Sequence, residues 1–178
     1  MPPYERRLKI VGHRGKRYFR AQRSAAWMAR CMQLRVLMDS RCLEGIRVLF
    51  VDDDEDSRII VRCVLDYCGA STATAASASE AIRQMHAVKP DVLIADFAMP
   101  GGDGYELLRR VRSLPPEHGS AVPAALVTAA PLEDSQTRAR GAGFSEVIRK
   151  PVDLDVFCSL VAALAEQGRN HQQQRRSA

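Results

Sequence analysis

The feature that most limits what this chain can fold into is a fivefold alternation of short apolar runs with helix-patterned segments, from Gly45 to about Gly168. "IRVLFV" (46–51) is a continuous apolar run, as in a parallel strand covered on both faces. After an acidic turn, Ile60, Val61, Val64, Leu65 and Cys68 recur at helical spacing, and Gly69 stops the helix. "STATAA" (71–76) reads as a weaker second strand. Ser77-x-x-Glu80 reads as a capping box, opening a helix with Ile82 and Met85 toward the core and ended by Lys89-Pro90. "DVLIADF" (91–97), "AALVTAA" (124–130) and "EVIRK" (146–150) supply three further strands. "GYELLRRVRSL" (104–114) and the polar "LEDSQTRARGAGF" are the third and fourth helices. The last is capped by Asp153, with Phe157, Leu160, Val161 and Leu164 at i, i+3, i+4 and i+7.

The joints are too short for anything but crossover helices, so the pattern implies an α/β fold with helices on both faces of a parallel sheet. At this size the natural choice is a flavodoxin-like, doubly wound five-stranded sheet in the order 2-1-3-4-5 with five helices. In such sheets function collects beyond the carboxyl ends of the strands, near the switch between strands 1 and 3. Those ends carry Asp52 and Asp53 after strand 1, Asp96 after strand 3, Thr128 after strand 4 and Lys150 after strand 5. Carboxylate oxygens suit Mg²⁺, a small hard ion that keeps waters and takes one or two carboxylates plus phosphate oxygens. Thr128 can donate to a phosphoryl oxygen and Lys150 can neutralise another.

The stretch "RVLFVDDDEDSR" holds five consecutive acids, Asp52 to Asp56, whose mutual repulsion calls for a cation or for solvent. Asp54, Glu55 and Asp56 suit the first turn of a helix, beside its N-terminal dipole. An EF-hand is excluded, because the sixth position is Ser57 rather than Gly and the twelfth Cys63 rather than Glu. "MPGGDG" (99–104) lacks both the P-loop Lys-Ser/Thr and the dinucleotide glycine spacing, and reads as a tight turn into the third helix.

"VDDD", "DFAMPGGDG", "LVTAA" and "IRKP" follow strands 1, 3, 4 and 5 in that order. In these motifs the chain resembles the receiver domain of two-component response regulators, over roughly residues 45–168. The resemblance implies that Asp96 is the phosphoacceptor, attacking a phosphohistidine on a sensor histidine kinase or histidine phosphotransfer protein. It implies Mg²⁺ held by Asp53, Asp96 and the backbone carbonyl of Ala98, with Asp52 acting through water. Thr128 and Lys150 would serve the phosphoryl oxygens, and the Lys150-Pro151 bond would be cis. A protein of this kind is no enzyme beyond its own phosphorylation and dephosphorylation, and signals by docking on an unknown target.

The chain departs from the family pattern at four places. Ala98 and Ala130 stand where polar side chains often steer a hydrolytic water, so slow dephosphorylation is expected. Val147 replaces a common switch aromatic, and Gly102 a larger apolar residue. Ala98 also removes the general acid that a haloacid-dehalogenase-like phosphatase needs. A non-phosphorylated receiver-like docking module is the remaining rival.

With 46% hydrophobic residues the chain can build one core, and no apolar run approaches the ~20 residues of a membrane span. The five cysteines show no ligand spacing and read as reduced cytoplasmic thiols, Cys63, Cys68 and Cys158 being small core residues. Residues 1–44 carry 11 Lys/Arg against 3 acids, and residues 45–178 carry 15 against 18. The basicity therefore belongs to the extension 1–44, read as disordered or as preceding a true start at Met38. A nucleic-acid-binding arm and an organellar presequence are the alternatives. Residues 169–178 read as a disordered polar tail.

Overall fold

Five parallel strands, β1 (Arg47–Val51), β2 (Ser71–Ala75), β3 (Val92–Asp96), β4 (Ala124–Thr128) and β5 (Glu146–Arg149), form one sheet in the order β2-β1-β3-β4-β5. The structure is a computed structural model and describes residues 42–100 and 102–176. The helices are α1 (Glu55–Tyr67), α2 (Ala78–Val88), α3 (Gly104–Arg112), α4 (Leu132–Ala142) and α5 (Leu154–Arg176). The doubly wound order that the repeats imply is the one observed.

Period-two alternation assigns each strand residue to one of two cores. Val48, Phe50, Val92, Ile94, Ala125 and Val127 face α1 and α5, where they meet Val61, Leu65, Phe157, Val161 and Leu164. Leu49, Val51, Leu93, Ala95, Ala124 and Leu126 face the other side, against Met85 of α2, Leu107, Leu108 and Val111 of α3, and Ala139 of α4. All five residues of β3 and of β4 are buried; four apolar residues in each account for this in a sheet covered on both faces, and the fifth, Asp96 or Thr128, is a buried polar group. No helix of the described residues is long and apolar enough to cross a membrane.

Capping side chains start the first three helices. Asp54 accepts from Ser57 N at 2.8 Å, and Asp103 accepts from Glu106 N at 2.8 Å. At α2, Ser77 Oγ accepts from Glu80 N at 3.2 Å, but Glu80 reaches back to Ala76 N at 2.8 Å, one residue beyond the expected reciprocal bond to Ser77 N.

Three expectations need correction. Cys68 and Cys158 are core residues, their sulfurs 3.4 Å apart, but Cys63 is exposed. The buried stripe of α1 runs through Ser57, Val61 and Leu65, which turns position 63 outward. Leu43, assigned to the extension, is fully buried and its N–H donates to Cys68 O at 2.9 Å, so the folded unit starts earlier than residue 45. In place of a polar tail from residue 169, α5 continues to Arg176. Its apolar half nucleates the helix on the core, and Gln and Arg are good helix formers that propagate it. The rest of the extension, residues 1–41, and with it the questions of a basic arm and of a start at Met38, lies outside the described residues.

Candidate functional site

Each strand of the switch region delivers its last residues to one edge. β1 and β3 pair in parallel from Val48↔Val92 to Val51↔Ala95, and β3 pairs with β4 as far as Asp96↔Val127. This register sets Asp52, Asp96 and Thr128 side by side, all buried. Asp53 lies half-buried beside them, and the carboxylates of Asp52, Asp53 and Asp96 each place an oxygen within 4.8 Å of the others.

Lys150 follows β5, its N–H donating to Thr128 O at 2.7 Å. The Lys150-Pro151 peptide is cis. Its ammonium lies 2.7 Å from Asp96 Oδ1 and 3.2 Å from Asp52 Oδ2. Two backbone donors complete the carboxylates' partners: Asp54 N–H to Asp52 Oδ1 at 2.9 Å, and Ala98 N–H to Asp96 Oδ2 at 3.2 Å. Thr128 Oγ accepts from Ala130 N at 3.0 Å, which leaves the hydroxyl hydrogen to donate.

The electrostatics are unbalanced toward negative charge. Burial opposes the Lys150 ammonium, but Asp52 and Asp96 outweigh it and hold its pKa above the usual lysine value. Burial pushes the Asp52 carboxyl above its usual range. Lys150 draws it back, Asp96 adds to the upward push, and the Asp54 N–H lowers it without cancelling the rise. One ammonium thus fails to neutralise the carboxylates that converge on it. The donor set fits Mg²⁺ on two counts: carboxylate oxygens gathered at one point, and surplus negative charge for a divalent cation.

All the predicted site residues, Asp52, Asp53, Asp96, Ala98, Thr128 and Lys150, come together at this edge. Two supporting residues were not legible. Gly104, read as part of a turn, packs so tightly that a Cβ there would lie 2.8 Å from Asp96 O and 2.7 Å from Leu126 Cδ1. Arg58 of α1 donates from Nη1 to the backbone oxygens of Asp52 and Asp53 at 2.8 and 2.9 Å. Main-chain partners leave no complementary side chain in the sequence to betray such a contact.

Beside Asp96, Phe97 meets Tyr105 edge to face at 5.5 Å, and Tyr105 meets Phe144 at 5.9 Å between ring centroids. Arg138 of α4 lies 4.9 Å over the Tyr105 ring. Val147 packs against this same core, so the aromatic surface here comes from α3 and the loops rather than from β5.

A family model described as the response regulator receiver domain matches residues 48–162. Among curated proteins, an uncharacterized 14.6 kDa protein of Leptolyngbya boryana is 41% identical over 62% of this chain and 83% of its own length. The virulence sensor protein BvgS of Bordetella bronchiseptica is 35% identical over 64% of this chain, which spans only 9% of BvgS. Among solved structures, the chemotaxis protein CheY4 of Vibrio cholerae superposes with a TM-score of 0.62 at 24% identity, covering 67% of this chain and 98% of its own. At that identity the likeness speaks for the fold, while the family match and the strand-end residues speak for the site. The chain therefore belongs to the response regulator receiver domain family, the phosphoacceptor modules of two-component systems.

Proposed function

We propose that Asp96 is the residue phosphorylated, with a sensor histidine kinase or a histidine phosphotransfer protein as donor and Mg²⁺ as cofactor. Asp53, Asp96 and the Ala98 carbonyl would hold the ion, and Asp52 would reach it through water. Bound there, Mg²⁺ would offset charge on the phosphoryl oxygens.

The chain's own groups do the rest. An Asp96 carboxylate oxygen attacks phosphorus, the P–N bond to the donor imidazole breaks, and the nitrogen leaves with the bonding pair and takes up a proton. Lys150 neutralises a phosphoryl oxygen from the position it holds against Asp96, and the Thr128 hydroxyl donates to another. The phosphorylated protein then acts by docking on a downstream protein in the cytoplasm, and turns over no other substrate.

The observation that carries this reading is the Lys150 ammonium bridging Asp96 at 2.7 Å and Asp52 at 3.2 Å at the carboxyl edge of the sheet. The test is incubation with Mg²⁺ and a small phosphodonor, comparing wild type with Asp96→Asn on a phosphate-affinity gel. A shift in wild type that is absent from Asp96→Asn is expected. No Asp96-dependent shift, with small donors or with histidine kinases, would leave a docking module that is not phosphorylated.

A further inference from the structure

We propose that Arg58 is a positioning residue for the divalent cation, fixing the direction of the Asp53 carboxylate by gripping the main chain behind it. The inference rests on the magnesium reading above.

The two carboxylates of the β1 end are held in different ways. Asp52 is buried and anchored through its own side chain, Oδ1 to Asp54 N–H at 2.9 Å and Oδ2 to Lys150 Nζ at 3.2 Å. Asp53 is half-buried, and no hydrogen bond to its carboxylate is found among the described residues. Its direction is therefore set by its backbone. Arg58 Nη1 lies 2.8 Å from Asp52 O and 2.9 Å from Asp53 O. One nitrogen bonded to two successive carbonyls fixes the peptide planes on both sides of Asp53, and with them the vector of its Cβ. The turn is pinned at its flanks too, by Asp52 N–H to Ala75 O at 3.2 Å and by the Asp54 cap on Ser57 N at 2.8 Å. Arg58 is the piece that acts on the orientation of Asp53 itself.

The sign of one measurement separates this role from simple electrostatics. Arg58 is a cation beside a cation site, so its charge alone repels Mg²⁺, and removing it would tighten binding. A positioning role predicts the reverse. Loss of a group that orients a metal ligand typically weakens metal affinity by roughly 10- to 100-fold. Arg58→Met keeps the apolar stem and removes the donors, whereas Arg58→Lys keeps a charged nitrogen that can serve both carbonyls.

The experiment is a Mg²⁺ titration of the full chain followed by amide chemical shifts, with thermal unfolding monitored in parallel. Wild type is expected to show saturable shifts around Asp53 and Asp96, Arg58→Met to bind at least tenfold more weakly, and Arg58→Lys to recover most of the loss. Equal or tighter binding by Arg58→Met would overturn the proposal, as would a lowered Tm with unchanged Mg²⁺ affinity of the folded protein. If Arg58→Met does not fold, Arg58→Gln takes its place, with the same weakening expected and the same refutation. Wild type without a saturable shift would instead count against the magnesium reading.

Discussion

Replacing Gly104 by Ala adds one methyl group where the structure has no room for it. The backbone at Gly104 has an ordinary helical conformation that any residue adopts, so the substitution tests sterics and little else. The added Cβ would lie 2.8 Å from the Asp96 carbonyl oxygen and 2.7 Å from Leu126 Cδ1, whereas comfortable carbon contacts begin near ~3.5 Å. Leu126 is fully buried and the Asp96 carbonyl belongs to β3, paired on both sides, so neither yields freely. The start of α3 has to move outward by several tenths of an ångström, straining the Gly104 N–H bond to Phe97 O at 3.0 Å. Overpacking of this kind costs about 1–3 kcal/mol. The better helix propensity of Ala returns less than about 1 kcal/mol. A net loss of about 1–2 kcal/mol is expected in urea denaturation, together with slower phosphorylation by a small phosphodonor, because Asp96 is displaced relative to the Lys150 ammonium 2.7 Å away. A variant as stable as wild type and phosphorylated at the same rate would refute the claim that this close approach positions Asp96.

Lys150→Met is expected to abolish phosphorylation while tightening Mg²⁺ binding, since a competing cation leaves the site, and to cost about 3–5 kcal/mol at pH 7 without metal. That cost should shrink as pH falls and Asp52, whose pKa is already raised, takes up a proton; urea midpoints across pH check it, and a pH-independent loss would contradict it. At the opposite edge of the sheet Arg47 pairs with Asp91, Nη2 to Oδ1 at 3.0 Å and Nε to Oδ2 at 3.1 Å. Burial raises the Asp91 carboxyl, but the bonds and charge of Arg47 outweigh it and hold its pKa below the usual aspartate value. The pair's contribution is thus present above about pH 4 and lost progressively as pH falls through the lower folded value, so Asp91→Asn should cost about 1 kcal/mol at pH 7 and clearly less at pH 3. Equal urea midpoint shifts at both pH values would exclude this. With alanine at 98 and 130, the phosphoryl group on Asp96 is expected to persist, and Ala98→Asn to speed its loss roughly tenfold by orienting water; decay of the wild-type phosphoprotein within seconds in Mg²⁺ would sink that expectation.

What was legible in the sequence depended on whether a residue's partner is periodic or positional. The strands and their order follow from apolar runs with short joints, and Asp52, Asp96, Thr128 and Lys150 follow from the rule that such sheets work at their carboxyl ends. Gly104 and Arg58 were hidden because both act on main-chain oxygens, of Asp96 and of Asp52 and Asp53, which every residue offers alike. The wrong placement of Cys63 came from composition, which ranks cysteine as a core residue, where the phase of the α1 stripe decides. The run of α5 to Arg176 was missed because a polar segment has no core signature, although a helix already nucleated needs none to continue.

That helix continues beyond its buried stretch. Its first half is seated through Phe157, Val161, Leu164 and Ala165, and Gly168 is tightly seated too, since even a Cβ there would come 2.9 Å from Pro123 Cγ. From Gly168 to Arg176 the helix runs on for about 12 Å, at 1.5 Å per residue, with Arg169, Asn170 and His171 exposed. A bend of ~10° at Gly168 sweeps the end of this ~12 Å segment by ~2 Å. Any change of direction at that seat is therefore carried outward, growing with distance, to Arg169, His171 and the residues beyond them.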